Sequence, residues 1–354
     1  MNFFKNICFV LALLSSVAQA SQWAVVTTIN YPTNDLKKLV KQKGWRVVVV
    51  ADKKTPKDWQ LSGCDFLSVA MQEQLGYRIA KLIPWNHYSR KNIGYLYAIA
   101  HGATVIYDTD DDNALSCETL EYLPADTELP VCQTNQLCVN PYAYFGQPSV
   151  WPRGYPLDCI QQKDPFALMS KKVSPLIQQG LVNNDPDVDA FFRLTRGEFI
   201  TFTQKEPLCL PVGTLCPFNS QNTVFHYQAL WGLLLPVTTS FRVCDIWRGY
   251  WAQRLLWDID GVLCFTAPQV IQERNEHNLM RDFSDEVDLY LKGGALAASL
   301  KDWCAHSAIF TMRIHELTAH MAAQNFWGSQ EVELVDAWIE DLIDAGYQFP
   351  EIIQ

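Results

Sequence analysis

The side chains best placed to do chemistry form an acidic run, Asp108, Thr109, Asp110, Asp111 and Asp112, followed by Asn113. Gathering like charges is unfavourable, because each carboxylate raises the pKa of its neighbours unless a cation sits among them. A hard divalent ion, Mn²⁺ or Mg²⁺, resolves the repulsion, with Asp110 and Asp112 as candidate metal ligands. Such ions take carboxylate and phosphate oxygens together, which suits a diphosphate leaving group, and would act on the departing nucleotide as a Lewis acid. The plainer reading of an Asp-x-Asp sequence is a solvated strand end, or Asp108 and Asn113 capping turns.

Other residues can complete a nucleotide site. Thr27, Thr28 and Asn30 close a first apolar run, where they either contact a base or ribose or form a simple turn. Asp52 ends a second run, where it can meet a nucleoside or cap the next turn. Arg90 and Lys91 can neutralise phosphates or be ordinary solvated charge, Asp111 lies within the acidic run itself, and Trp85 and His87 can stack on a base or pack in a turn.

The elements that must hold these residues read as α/β. Residues 23–29 form a β-branched run, Asn34 can cap a helix over 35–42 that Gly44 stops, and residues 45–51 form a second strand. The absence of alternation over 46–50 predicts burial on both faces, as in a parallel sheet covered by helices. Short helices are expected over 69–75 and 91–101, the latter ended by Gly102, and an apolar strand over 103–107 runs into the acidic cluster. The carboxylates thus fall at a strand's carboxyl end, where open α/β sheets bind ligands. Residues 123–153 read as an irregular, stapled excursion; 245–257 as an aromatic amphipathic helix; and 285–291, 295–305, 313–324 and 331–345 as helical.

With 354 residues, 49% of them hydrophobic, the chain can bury one large core or two smaller ones. A net charge of −10 argues against a nucleic-acid partner, which is normally met by a basic face. Lys5, the apolar residues 7–14 and the small residues Ala18 and Ala20 predict a signal peptide over 1–20, cleaved after Ala20, and hence the secretory lumen or the exterior. The apolar run is shorter than the roughly 20 residues that cross a bilayer, so an uncleaved anchor is the lesser reading and no stable span is expected after cleavage. Losing Cys8 would leave ten of the eleven cysteines. Disulfides are then expected, with Cys132 to Cys138 and Cys209 to Cys216 as local staples, and Cys244 and Cys264 equally readable as buried thiols.

Residues 23–30, 45–54 with Thr55 and Pro56, Pro84 to His87, Arg90 to Gly94 and 106–113 together resemble the STELLO family of glycosyltransferases. The likeness continues through 151–157, 185–190, 217–223, 244–257 and 274–278, covering nearly all of the chain beyond the leader. A fainter likeness is to the reversibly glycosylated polypeptides, the UDP-arabinopyranose mutases, through Asp110 to Asp112 and the Arg153-Gly154-Tyr155-Pro156 piece. In those proteins the arginine carries sugar, which makes Arg153 a candidate glycosyl acceptor or transition-state contact, against a plain loop arginine. Where the mutases carry a His-Ser-Lys segment, this chain has residues 269–272, so their histidine metal ligand is lacking, and His277 lies nearby.

The resemblance implies a GT-A-type nucleotide-diphospho-sugar fold over 21–270, a Rossmann-like open sheet, with a helical region over 271–354 packed on it. It implies a UDP-type sugar donor at Asp110 and Asp112 and a carbohydrate or glycoprotein acceptor. An inverting transfer needs a carboxylate base on the acceptor hydroxyl. Asp245 is the leading candidate, beside Trp247, Tyr250 and Trp251 that can stack on a sugar, with Asp258 and Asp260 as alternatives and helix capping as its bland role. The rival readings are a mutase or self-glycosylating protein, and a catalytically silent scaffold for glycan synthesis.

Overall fold

A computed structural model describes residues 21–162, 166–273 and 278–353. The leader, and Arg274, Asn275 and His277 singled out above, lie outside the described residues.

A single ten-stranded mixed sheet runs through the chain. Its strands are β1 (Ser21–Thr28), β2 (Trp45–Ala51), β3 (Asp65–Leu67), β4 (Ala103–Thr109), β5 (Asn113–Leu115), β6 (Thr127–Gln133), β7 (Ala167–Asn184), β8 (Leu208–Cys209), β9 (Asn222–His226) and β10 (Gly261–Gln272). In space they run β3, β2, β1, β4, β9, β7, β6, β8, β10, β5, with a further β7 to β10 pairing. The first four are mutually parallel, and β9 is antiparallel to both β4 and β7.

The expected strand, helix, strand start is present, with β2 at the anticipated bounds. Alternation along β1 and β2 divides their side chains between two cores. Trp23, Val25, Val48 and Val50 join the large core, while Ala24, Val26, Val47 and Val49 pack with Leu36 and Leu39 of helix α1 (Asn34–Leu39). Each residue of the Val47 to Val50 run is therefore buried from one side or the other, which explains why it shows no polar period. The cap of α1 is Thr33 rather than Asn34: its hydroxyl accepts from the Leu36 amide. Helix α2 (Val69–Gln74) follows its Ser68 cap, and α3 (Lys91–Ala100) packs on β1 and β2.

That packing depends on Gly94, because a Cβ there would meet Val50 Cγ2 at 2.6 Å and Val25 Cγ1 at 2.7 Å. Gly94→Ala is expected to destabilise by about 1–3 kcal/mol through overpacking, despite Ala's better helix propensity. Urea unfolding checks this, and an unchanged midpoint would show that α3 can move off the sheet.

Three sequence expectations are corrected. The 123–153 excursion supplies β6, antiparallel to β7; β6 tolerates Pro130, which has no N–H for a ladder, because on its other side only the two-residue β8 pairs, through Val131. Cys209 is joined to Cys264 across β8 and β10, so neither the Cys209 to Cys216 staple nor a Cys264 thiol stands, and Cys138 lies against Cys159 rather than forming the expected local loop. After α4 (Pro141–Tyr144) and α5 (Ala190–Thr195) comes α6 (Cys244–Leu256), which is not amphipathic: all its residues are buried.

Helix α6 is enclosed because α7 (Leu279–Asp285), α8 (Val287–Asp302), α9 (Phe310–Ala323) and α10 (Gln330–Asp344) follow β10, and α8 and α9 pack against it. Indole N–H groups bond this layer together, Trp247 to the Phe326 carbonyl at 3.0 Å and Trp251 to Thr318 at 3.1 Å. Strand β10 runs two residues past the 270 boundary read from sequence. Among the described residues no helix is long and apolar enough to cross a membrane.

Candidate active site

The end of β4 at Thr109 divides the acidic run. Asp108, still inside the strand, is fully buried and accepts from Tyr95 Oη at 2.7 Å. Two buried cations neutralise it: Lys91 Nζ at 2.7 Å and Arg248 at 3.2 Å. Burial alone would lower the Lys91 ammonium, but Asp108 and Asp110 outweigh it and hold its pKa above the ordinary value. Asp108 is thus a structural anion beneath the site, a role the sequence did not separate from its neighbours.

Asp110, Asp111 and Asp112 emerge from the end of β4 into a cleft of about 420 Å³. Thr27, Thr28, Asn30 and Asp52 line the same cleft from the ends of β1 and β2, and Arg153 and Asp245 from the opposite wall. Of the candidates read from sequence, Arg90 and Lys91 are not brought there. Arg90 is buried, bonded to Gln72 at 2.5 and 3.1 Å and stacked on Trp85 at 3.8 Å. Lys91 lies below the floor and touches cleft-lining groups through Asp110, at 3.3 Å, and Tyr88 Oη, at 3.2 Å.

Each acidic residue has its own setting. Asp110 accepts from Tyr88 Oη at 2.7 Å and from Lys91, both through Oδ1, while its side chain stays 31% exposed. Burial pushes its carboxyl up to about 6, opposed by Lys91 and reinforced by Asp112. Asp111 turns toward β1: its carboxylate takes Thr28 Oγ1 at 2.5 Å and Asn30 Nδ2 at 3.3 Å, and its carbonyl takes the Thr33 hydroxyl. Asp112 accepts from Gln272 Nε2 at 3.3 Å. Asp52 holds a turn, accepting the backbone N–H of Asn86 at 2.7 Å and of His87 at 3.1 Å, while still facing the cleft.

On the far wall the two residues singled out for catalysis are bonded to each other. Arg153 makes a bidentate pair with Asp245, at 2.9 and 3.1 Å, and donates through Nε to Asp187 at 2.7 Å. Burial opposes the Arg153 charge, but Asp187 and Asp245 outweigh it and hold the guanidinium pKa well above its ordinary value, which weakens Arg153 as a nucleophile, while both Asp245 oxygens are occupied by Arg153 rather than open to an acceptor hydroxyl. Asp245 lies in the first turn of α6 and its side chain does not cap it. Asp258 pairs instead with Arg254 and Arg313, and neither it nor Asp260 lines the cleft.

Trp247, Tyr250 and Trp251, expected to stack on a sugar, are buried in the core. Sequence reading missed two aromatics that line the cleft, Tyr88 and Phe241, the latter 56% exposed and edge-on to Tyr88 at 5.5 Å. It also missed Asp187, Asn219, Gln221 and Arg242. Asp187, Asn219 and Gln221 fall within the STELLO-like blocks 185–190 and 217–223, but no local pattern assigns them a place in a site, since they converge with Arg242 from separate segments. Among the described residues no group of three or more His, Cys, Asp or Glu is placed to hold a metal.

Comparison with known proteins bears on this arrangement. Residues 242–354 match the family model for STELLO glycosyltransferases. The chain is 38% identical to the Probable glycosyltransferase STELLO1 of Arabidopsis thaliana over 355 aligned positions, covering 95% of this chain and 46% of the relative. The chain is related to the STELLO glycosyltransferases. It is likewise 39% identical to the Probable glycosyltransferase STELLO2 of the same plant, with the same coverage, so it spans about half the length of the curated relatives it matches. The STELLO resemblance read from sequence blocks is borne out. The segment matching the STELLO model includes Asp245, α6 and Gln272, whereas the acidic run and Arg153 precede it.

Proposed function

We propose that this chain is a metal-dependent glycosyltransferase domain of GT-A type. It moves a sugar from a nucleotide-diphospho-sugar, with UDP as the nucleotide the family resemblances imply, to a glycan or protein acceptor in the secretory lumen. The observation that carries the reading is the convergence of Asp110 and Asp112 with Thr27, Thr28, Asn30 and Asp52 in one cleft at the carboxyl ends of parallel β1, β2 and β4. That is where open α/β sheets bind nucleotides.

The donor set fits Mn²⁺ or Mg²⁺. Two carboxylates, one with its pKa raised to about 6, are relieved by a cation between them, and diphosphate oxygens and water fill the remaining positions of such ions. When bound, the ion supplies Lewis-acid stabilisation of the departing nucleotide diphosphate. The chain's own residues do the rest: Asp111 locks the β4 end to β1, Lys91 supports Asp110 from below, and Phe241 offers an apolar face to an acceptor sugar.

Calorimetric titration of UDP into the mature chain, with Mn²⁺ and with EDTA, tests the reading. Binding is expected with the metal and not with the chelator; metal-independent binding, or none, sinks it. The engagement of Asp245 by Arg153 favours one rival, a domain that binds donor without turning it over. UDP-sugar binding without transfer or hydrolysis would establish that rival. A mutase or self-glycosylating protein sits poorly with a guanidinium held by two carboxylates.

A further inference from the structure

Gln221 lies on the cleft wall just before β9 and is only 7% exposed, yet its side-chain oxygen has no hydrogen-bond partner. Its backbone is fixed, the N–H donating to Asn219 Oδ1 at 3.0 Å and the carbonyl accepting from Asn113 Nδ2 at 2.6 Å.

The orientation of the amide follows from its neighbours. An ionised carboxylate only accepts, so Gln272 must present Nε2 to Asp112, at 3.3 Å. That turns Gln272 Oε1 toward Gln221, and Gln221 answers with its own Nε2. Flipping Gln221 would set two carbonyl oxygens against each other. The unsatisfied atom is therefore an acceptor, next in line to the Asp112 carboxylate. Buried acceptors are rarely left unpaired, and such an exception calls for a donor.

Phosphate oxygens near Asp112 cannot supply that donor, because they too are acceptors. A sugar hydroxyl can. We infer that Gln221 Oε1 accepts a hydroxyl of the donor's sugar ring, so that the Gln221, Gln272 and Asp112 chain reads the sugar rather than the nucleotide. The inference rests on the donor-site reading above.

Titration of UDP, UDP-glucose, UDP-galactose and UDP-arabinopyranose with Mn²⁺ separates the two. The wild-type chain is expected to bind at least one of the sugars more tightly than UDP. Gln221→Leu should cut that preference roughly five- to tenfold while leaving UDP affinity in place. Gln272→Leu, which touches Asp112 directly, should weaken UDP and UDP-sugars alike. An equal loss of UDP binding in Gln221→Leu would mean that Gln221 meets a ribose hydroxyl or only positions Asp112, and no change in either would mean that a buried water satisfies it. Both results overturn the inference, as would a wild-type chain with no preference for any sugar. Should Gln221→Leu fail to fold, Gln221→Asn withdraws the oxygen by one methylene and must show the same selective loss. If UDP itself does not bind the wild type, the donor-site reading fails first and takes the inference with it.

Discussion

Asp108→Ala will destabilise the fold by about 3–5 kcal/mol, the range for removing one partner of a buried ion pair. The effect belongs at the upper end because Asp108 is shared. Its loss leaves Lys91 and Arg248 both fully buried with their main counter-charge gone, and strips Tyr95 of its acceptor. Against a typical total of about 5–15 kcal/mol, that is a large fraction of the stability. Lys91→Met should be milder, since Asp108 keeps Arg248. Urea unfolding followed by tryptophan fluorescence measures both. A loss below about 1 kcal/mol for Asp108→Ala, the level of an exposed pair, would show that water reaches the two cations.

The double variant Asp110→Ala, Asp112→Ala is expected to do the reverse, sparing the fold and removing the ligand. Both residues face the cleft, and Lys91 keeps its closer partner Asp108 when Asp110 is gone. Losing residues that support metal ligands typically lowers metal affinity about 10–100-fold, so losing both carboxylates should weaken Mn²⁺-dependent UDP binding on the order of 100-fold or more. Calorimetry beside a thermal melt checks the two halves together. Intact UDP affinity in a folded double variant would remove the metal from the proposal; a collapsed melt would place these aspartates with Asp108 as structural.

The contrast between these two experiments shows why the acidic run was only half legible. The four aspartates look alike in sequence, and Asp108 and Asp110, two apart, even share Lys91 on one face; what gives them different surroundings is where the strand ends. Asp108 falls within β4 and meets α3 and α6, whereas Asp110 and its followers leave the strand and meet solvent. The exit point of β4 decides this, two residues later than the apolar pattern suggested. Asp245 and Arg153 were likewise visible singly, but nothing in the sequence indicated that they neutralise each other across 92 positions.

By itself the sequence determined the local elements around the site: the β2 run from Trp45 to Ala51, the short helix α2, the end of α3 before Gly102 and the position of the acidic cluster after an apolar strand. These depend on side-chain period, caps and backbone freedom, which neighbouring residues set among themselves. Only the tertiary structure decided that Trp247, Tyr250 and Trp251 are core while Phe241 faces the cleft, that Cys209 finds Cys264, and that Gln221 joins Asp112 through Gln272. Those outcomes depend on which strands pair and which helices cover them, and burial at a given residue is fixed by chain segments far from it in sequence.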